Sequence, residues 1–507
     1  MRLKAGLPAT NCRTVRGYGD DDAPDTGKEA LPRTMFLTKE QILGARNTLH
    51  YRPGSVFLGR VDDQMVGIVD NRHIITLAGS RSGKSACVLI PNLMLYPGSA
   101  LAIDPKGELA ETTAAHRAKV LGQKVVVLDP FGVVKGEAAT YSRGRGHNPL
   151  LEIGRDDPDL IDDASLIAEA LITETGGNDQ YWSMAARNLV AGMILAAIVK
   201  EKPSLSSIRH DLLRDKEGLT ELFLELRDYK DVVDDDMPEA LATACDLISR
   251  SGAFMLGRSE TERSSVIASA IEQLAFLESP AMRRLFGRHD VSLRDLKRGA
   301  DGRPVTIYLV LPAGRMGTHA RWLRLMISLS LALFEREAAV TDETSDLRHP
   351  ALMILEEFAA LGHLRPIEQA AGFIAGSGVR LWSVLQDLSQ LKNHYKEGWE
   401  TFIGNAGIIQ AFSLSDHTSL EYISKRLGDT TVEVVTPQDM TTRERDGGGS
   451  GLKRDFRSVP LMSPPEITMQ FRRLSVNGGA AGGRSLIMCT DMRPFIVDRV
   501  YWKDLEG

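Results

Sequence analysis

The stretch that decides the fold is Ile74-Ile75-Thr76-Leu77-Ala78-Gly79-Ser80-Arg81-Ser82-Gly83-Lys84-Ser85. A short apolar run enters a turn of glycine and serine, and residues 86–95 leave it in a helical pattern. Successive backbone N–H groups in such a turn curl around phosphate oxygens, and the helix N-terminus adds free donors and a favourable dipole. Lys84 then reaches the β- and γ-phosphates, and the Ser85 hydroxyl ligates Mg²⁺. Gly79, Ser80, Arg81, Ser82, Gly83, Lys84 and Ser85 are therefore the expected cradle for ATP and Mg²⁺. One departure is local: the pattern GxxxxGK[ST] opens on Ala78 here, with glycine one place later. Alanine fits there only if that residue needs no positive φ.

A second strand end supplies acids. Ala351-Leu352-Met353-Ile354-Leu355 runs into Glu356-Glu357-Phe358. A buried strand ending in two acids resembles a Walker B element, with Glu356 holding the Mg²⁺ shell and Glu357 polarising the attacking water. The usual first acid is aspartate, so Glu356 brings one extra methylene. Gln386 closes the apolar run 379–385, where a polar tip can touch the γ-phosphate or the lytic water; a plain surface glutamine is the competing reading.

Outward from these motifs the chain alternates. Apolar runs at 74–77, 100–103, 125–128, 305–311, 351–355, 379–385 and 407–412 lack polar alternation, as strands buried on both faces do. Helical stretches such as 321–337 lie between several of them, which predicts an α/β fold with a parallel sheet. Residues 485–489 and 494–500 read as a hairpin. From 151 to 296 only helical patterns occur, at 160–172, 181–200, 219–229, 238–249 and 260–276. The expected division is a polar, partly disordered segment 1–50 with a short helix near 38–47, a first P-loop part 51–150, an all-α insertion 151–296 and a second P-loop part 297–507.

The 507 residues allow about three domains. A formal charge of −6 excludes a uniformly basic nucleic-acid-binding surface, so contact with DNA has to be local. Two stretches offer it: 282–303, carrying Arg283, Arg284, Arg288, Arg294, Lys297, Arg298 and Arg303, and 443–457 around Gly447–Gly451. A solvated, mixed-charge surface is the commoner outcome for such runs. Four scattered cysteines form no CxxC pair, which argues against zinc fingers and disulfides and fits a reducing cytoplasm. The unbroken apolar runs 189–199 and 325–334 are shorter than the ~18 residues that span a bilayer.

These residues together resemble the type IV secretion coupling proteins, the TraG/TraD-like conjugative DNA-transfer ATPases. The matching stretches are Gly79-Ser80-Arg81-Ser82-Gly83-Lys84-Ser85 with Ile90-Pro91-Asn92-Leu93, Ile103-Asp104-Pro105-Lys106-Gly107-Glu108, and Leu128-Asp129-Pro130-Phe131-Gly132 with Asn148-Pro149-Leu150. Leu355-Glu356-Glu357-Phe358-Ala359-Ala360-Leu361-Gly362, Gln386, Gly404-Asn405 and Pro464-Pro465-Glu466-Ile467 follow in order. The resemblance implies a RecA-like P-loop NTPase domain with an inserted all-α domain, working as a homo-hexamer around a channel. It implies single-stranded DNA with its attached relaxase, or effector proteins, as cargo, and the type IV secretion or conjugation machinery as partner. Lys84 and Ser85 become phosphate and Mg²⁺ ligands, Glu356 and Glu357 the Walker B pair, and Gln386 the γ-phosphate sensor. Asp104, Lys106 and Glu108 fall near the nucleotide or a subunit interface. Family members usually begin with membrane helices that are absent here, so the expected setting is cytoplasmic, recruited to the inner membrane only through partners. A ring ATPase also draws a basic residue from its neighbour, for which Arg380 is the candidate, against a solvated strand-end residue.

Three functions compete: a DNA-translocating motor, a receptor ATPase that recruits protein cargo, and a nucleotide-gated assembly protein with slow turnover.

Overall fold

A computed structural model describes residues 34–173, 180–234, 236–337, 344–437, 452–476 and 480–505. The chain separates into two units. One comprises Met1–Thr34 and Asp429–Pro460, and the other Met35–Gly428 and Leu461–Gly507.

The large unit is organised by an eleven-stranded sheet, in the order β2-β1-β15-β14-β9-β3-β8-β7-β4-β6-β5. Its strands are β1 (Val56–Val61), β2 (Gln64–Ile68), β3 (His73–Ala78), β4 (Ala100–Asp104), β5 (Lys124–Leu128), β6 (Val305–Val310), β7 (Ala351–Leu355), β8 (Val379–Leu385), β9 (Ala406–Phe412), β14 (Arg484–Cys489) and β15 (Met492–Asp498). From β9 to β5 every pairing is parallel. The β14–β15 hairpin joins antiparallel to β9, and the β1–β2 hairpin to β15. Each residue of β3, β4, β6, β7, β8 and β9 is buried, as unbroken apolar runs require when both faces are covered. A small pair, β12 (Leu474–Val476) and β13 (Ala480–Gly482), stands apart from the large sheet. In the other unit β10 (Asp429–Pro437) and β11 (Leu452–Pro460) make an antiparallel hairpin.

Among the described residues no strand lies between β5 and β6. Helices Leu160–Leu171, Gln180–Val199, Leu205–Leu212, Lys216–Arg227, Glu239–Leu256 and Glu260–Gln273 fill that interval, forming the all-α part of the fold. Gln180–Val199 is 20 residues long with a mean hydropathy of 1.5, enough by length and composition to cross a bilayer, yet 61 % of that stretch is buried in the fold. The run 189–199 is only its second half, because Arg187 and Asn188 interrupt the apolar residues that precede it.

Register sets the functional edge. Leu77 pairs with Leu385, Leu355 with Ser383, and Ile103 with Leu355. The residues that follow these strand ends are Gly79, Gln386, Glu356 and, at the tip of β4, Asp104. They therefore emerge on one side of the sheet, at the carboxyl ends of parallel strands where α/β folds place their ligands.

Candidate functional site

The turn between β3 and the next helix takes the conformation its glycines permit. Ala78 belongs to β3 and is buried, with no positive φ, so the alanine is accommodated. The demanding position is Gly79, where a Cβ would lie 2.4 Å from the Ser413 carbonyl oxygen. Arg81 (φ +55°) and Gly83 (φ +90°) carry the left-handed curl. The helix then starts with a wide π-type turn, Ser85–Leu89, before Ile90–Leu95. Pro91 lacks an N–H and crowds the preceding turn, and widening relieves that clash. Asn92 fastens this helix to β1: its side chain accepts from Phe57 N (2.8 Å) and donates to Phe57 O (2.8 Å).

Lys84 is buried and donates to the carbonyls of Ala78 (2.8 Å) and Gly79 (3.2 Å) within its own loop. Burial lowers its pKa, while Glu357 and Glu356 pull it back up. The Ser85 hydroxyl donates to Glu356 Oε1 at 2.8 Å. Gln386 Nε2 donates to Glu357, at 3.0 Å to Oε2 and 3.3 Å to Oε1. Glu357 adopts φ +55°, a left-handed backbone that a glutamate rarely takes and that is found where a site is held under strain. Glu356 is buried, and burial holds its pKa at about 7; Asp104 and Glu357 push the same way, Ser85 and Lys106 oppose. Asp104 is fully buried, held at about 6 mainly by burial, and accepts from Ala110 N at 2.8 Å. The Asp104-Pro-Lys-Gly-Glu108 stretch is thus the turn from β4 into helix Glu108–Lys119, with Gly107 left-handed at φ +74°. Its aspartate and lysine act electrostatically on Glu356 and Lys84.

These residues suit a magnesium–triphosphate. Among the described residues Ser82 Oγ is buried without a hydrogen-bond partner, and a hydroxyl, a carboxylate and an ammonium converge at one strand edge, the hard-oxygen set and counter-charge that magnesium and phosphate take.

Arg380 is not part of this cluster. It is the second residue of β8, opposite Leu352, about 20 Å along the strand from Gln386 at ~3.3 Å per residue. Its guanidinium is completely buried, with no hydrogen-bond partner among the described residues, and burial lowers its pKa. A finger reaching into a neighbour needs an exposed guanidinium, so the geometry speaks against that role; the apolar run 379–385 was a warning that its second residue faces inward.

Two arginines that motif reading passed over brace the phosphate loop from behind. Arg499 is buried, donates to Ser82 O (2.7 Å) and Gly482 O (2.8 Å), and lies 4.3 Å from the centre of the Phe412 ring. Burial brings its pKa down to about 10. Arg473 donates to Arg81 O at 2.8 Å. A single cation inside the apolar run 494–500 was the available signal.

Of the basic stretch 282–303, much is committed internally. Arg294 pairs with Glu337 (2.9 Å) and Asp157 (3.4 Å), Arg298 with Asp295 (3.1 Å), and buried Lys297 donates to Phe334 O (2.7 Å). The loop around Gly447–Gly451 lies outside the described residues.

Walker A and Walker B strands separated by one strand that leads into a polar residue define a RecA-like P-loop nucleotide-binding protein. The family model described as type IV secretory system conjugative DNA transfer matches residues 25–503, and the chain belongs to that family: it is a type IV coupling protein. It is 27 % identical over 452 residues to the conjugal transfer protein TraG of Escherichia coli, covering 85 % of this chain and 67 % of TraG. It is 27 % identical over 399 residues to VirD4 of Agrobacterium fabrum, covering 78 % of this chain and 55 % of VirD4. In fold it is similar to the bacterial conjugative coupling protein TrwB, solved with the ATP analogue ADPNP, at a TM-score of 0.61 and 14 % identity over 94 % of this chain and 96 % of TrwB. TrwB has also been solved with ADP and Mg²⁺, at a TM-score of 0.62.

Proposed function

We propose that this chain hydrolyses ATP with Mg²⁺ and uses the energy to move DNA toward a type IV secretion channel. The observation that carries the proposal is the Ser85–Glu356 hydrogen bond, which joins the end of the phosphate loop to the Walker B strand. Ser85 Oγ and Glu356 would hold the metal, whose chemistry there would be to offset negative charge on the phosphates. Lys84 leaves the Ala78 and Gly79 carbonyls to reach the phosphates. Glu357 accepts a proton from the attacking water, and Gln386 keeps its carboxylate oriented. The nucleotide complexes of TrwB support the choice of ligand.

The working assembly in this proposal is a homo-hexamer on the cytoplasmic side, recruited to the membrane by its partners, with residues 151–296 as a discrete domain and single-stranded DNA with its relaxase as cargo. Purified protein is expected to hydrolyse ATP faster when single-stranded DNA is added, and Lys84→Ala to abolish both rates. Hydrolysis indifferent to DNA, or unchanged in Lys84→Ala, overturns the proposal. A slow, nucleotide-gated assembly role is the second reading, favoured by the buried, partly protonated Glu356 in place of aspartate.

A further inference from the structure

Where the helical interval opens and where it closes, three metal-binding side chains meet. His147 and Glu152 stand at its start, His289 at its end. His147 is fully buried, and its Nε2 lies 2.8 Å from Glu152 Oε1. Glu152 is buried as well and accepts from Leu293 N (2.6 Å) and Ser292 Oγ (2.7 Å). The imidazole rings of His147 and His289 are 5.1 Å apart, centre to centre. One donor atom from each of the three residues falls within 4.8 Å of the others.

Two features separate this cluster from an ordinary buried hydrogen bond. First, among the described residues Nδ1 of His147 and Nδ1 of His289 are both buried without a side-chain partner, and the Asn148 backbone is the polar group that His289 has beside it. Buried polar atoms are otherwise almost always satisfied. Second, the carboxylate is held from outside by Ser292 and Leu293, the kind of support that fixes a metal ligand in place. We infer that His147, Glu152 and His289 form a binding site for a divalent transition-metal ion of the zinc type, clipping the entry and exit of the helical interval together.

The donor set is right for that class: two imidazole nitrogens and a carboxylate oxygen, with no thiolate and too few oxygens for calcium or magnesium. Tetrahedral donors each about 2.1 Å from one ion stand about 3.4 Å apart, so the farthest pair, within 4.8 Å here, draws in by up to about 1.4 Å as the ion binds. His289 is partly exposed, which gives the ion a path in and leaves room for water as a fourth ligand. The clip acts on backbone already paired across the same junction: His147 N donates to Leu285 O (2.9 Å) and Asp290 N to Gly146 O (3.0 Å). An ion here fixes the base of the helices against the sheet that carries the nucleotide site.

The test is equilibrium dialysis of the full chain against zinc chloride without nucleotide or magnesium, with bound metal measured by mass spectrometry. Visible absorption after cobalt substitution reports the coordination. One zinc per chain is expected, along with a higher melting temperature than in chelator and intense d–d bands with cobalt. His289→Gln, which changes only the partly exposed ligand, is expected to weaken zinc affinity at least tenfold while keeping the wild-type circular dichroism. Glu152→Gln serves as the second variant. Wild-type protein that retains no zinc, or zinc held equally by His289→Gln, overturns the site; the latter result places the ion elsewhere.

Discussion

Glu356 offers the most quantitative handle on the site. In the unfolded chain its carboxyl titrates near the ordinary 4.5; in the fold, burial moves it to about 7. Between those values the folded chain holds a proton that the unfolded chain has released. Unfolding therefore binds fewer protons, and stability falls as pH rises through the window, with the full penalty reached above about pH 7. At about 1.36 kcal/mol per pH unit over that interval, the penalty is about 3 kcal/mol. Glu356→Gln removes the titration while its amide oxygen still accepts from Ser85 Oγ. For 507 residues at ~2.1 cal/mol/K each, about 3 kcal/mol corresponds to about 3 °C in melting temperature. The assay is thermal unfolding of both proteins without nucleotide or magnesium, at pH 5 and pH 8. The variant is expected to match wild type at pH 5 and to melt about 3 °C higher at pH 8. Saturating Mg²⁺ and ATP analogue should protect wild type far more than the variant, because a neutral amide is a poor magnesium ligand. A variant that is no more stable at pH 8, or whose advantage is the same at both pH values, refutes the assignment of Glu356 as a carboxyl kept protonated by burial.

Glu357→Gln is expected to bind ATP analogue as wild type does and to hydrolyse ATP about 10²- to 10⁴-fold more slowly; a rate within threefold of wild type in a single-turnover assay removes Glu357 as the base. Arg499→Met takes the donors from the Ser82 and Gly482 carbonyls, which should destabilise the fold by about 1–3 kcal/mol and weaken nucleotide binding measured by titration calorimetry. Unchanged affinity in that titration means the loop holds its shape without Arg499.

The parts of the fold legible in the sequence were those with unbroken patterns. The parallel strands from β9 to β5 are short apolar runs buried on both faces, and each announced itself. The β1–β2 hairpin did not, because Gly59 and Gly67 interrupt its apolar residues. Gly59 is required where it sits: a register shift passes it, its φ is +145°, and a Cβ there would lie 2.4 Å from Asp498 O. That constraint comes from β15, more than 430 residues away, and no local window contains it. The site divides the same way. Lys84, Ser85, Glu356, Glu357 and Gln386 stand at the ends of strands whose parallel order aligns them, so motif and topology together bring them to one edge. Arg499 and Arg473 reach the phosphate loop from the C-terminal region; the cation inside the run 494–500 marks the first as unusual, and only the three-dimensional path shows what either one touches.

The glutamate at the first Walker B position also joins two parts of the site that the sheet keeps apart. β7 and β3 are not neighbours; β8 runs between them, so the two strand ends stand two spacings, about 9.6 Å, apart. Glu356 meets the Ser85 hydroxyl at 2.8 Å, because the phosphate loop carries Ser85 well past the end of β3. The same residue then serves two states of the site. Before ligand arrives, a buried carboxyl that is partly protonated near neutral pH closes the gap through Ser85, while Lys84 rests on its own loop, so the site's charges are either neutralised or hydrogen-bonded. A magnesium–nucleotide has to displace both contacts and the proton together. Binding is thereby coupled to proton release at Glu356, and that exchange sets apart an acid tuned by burial from one that merely ends a strand.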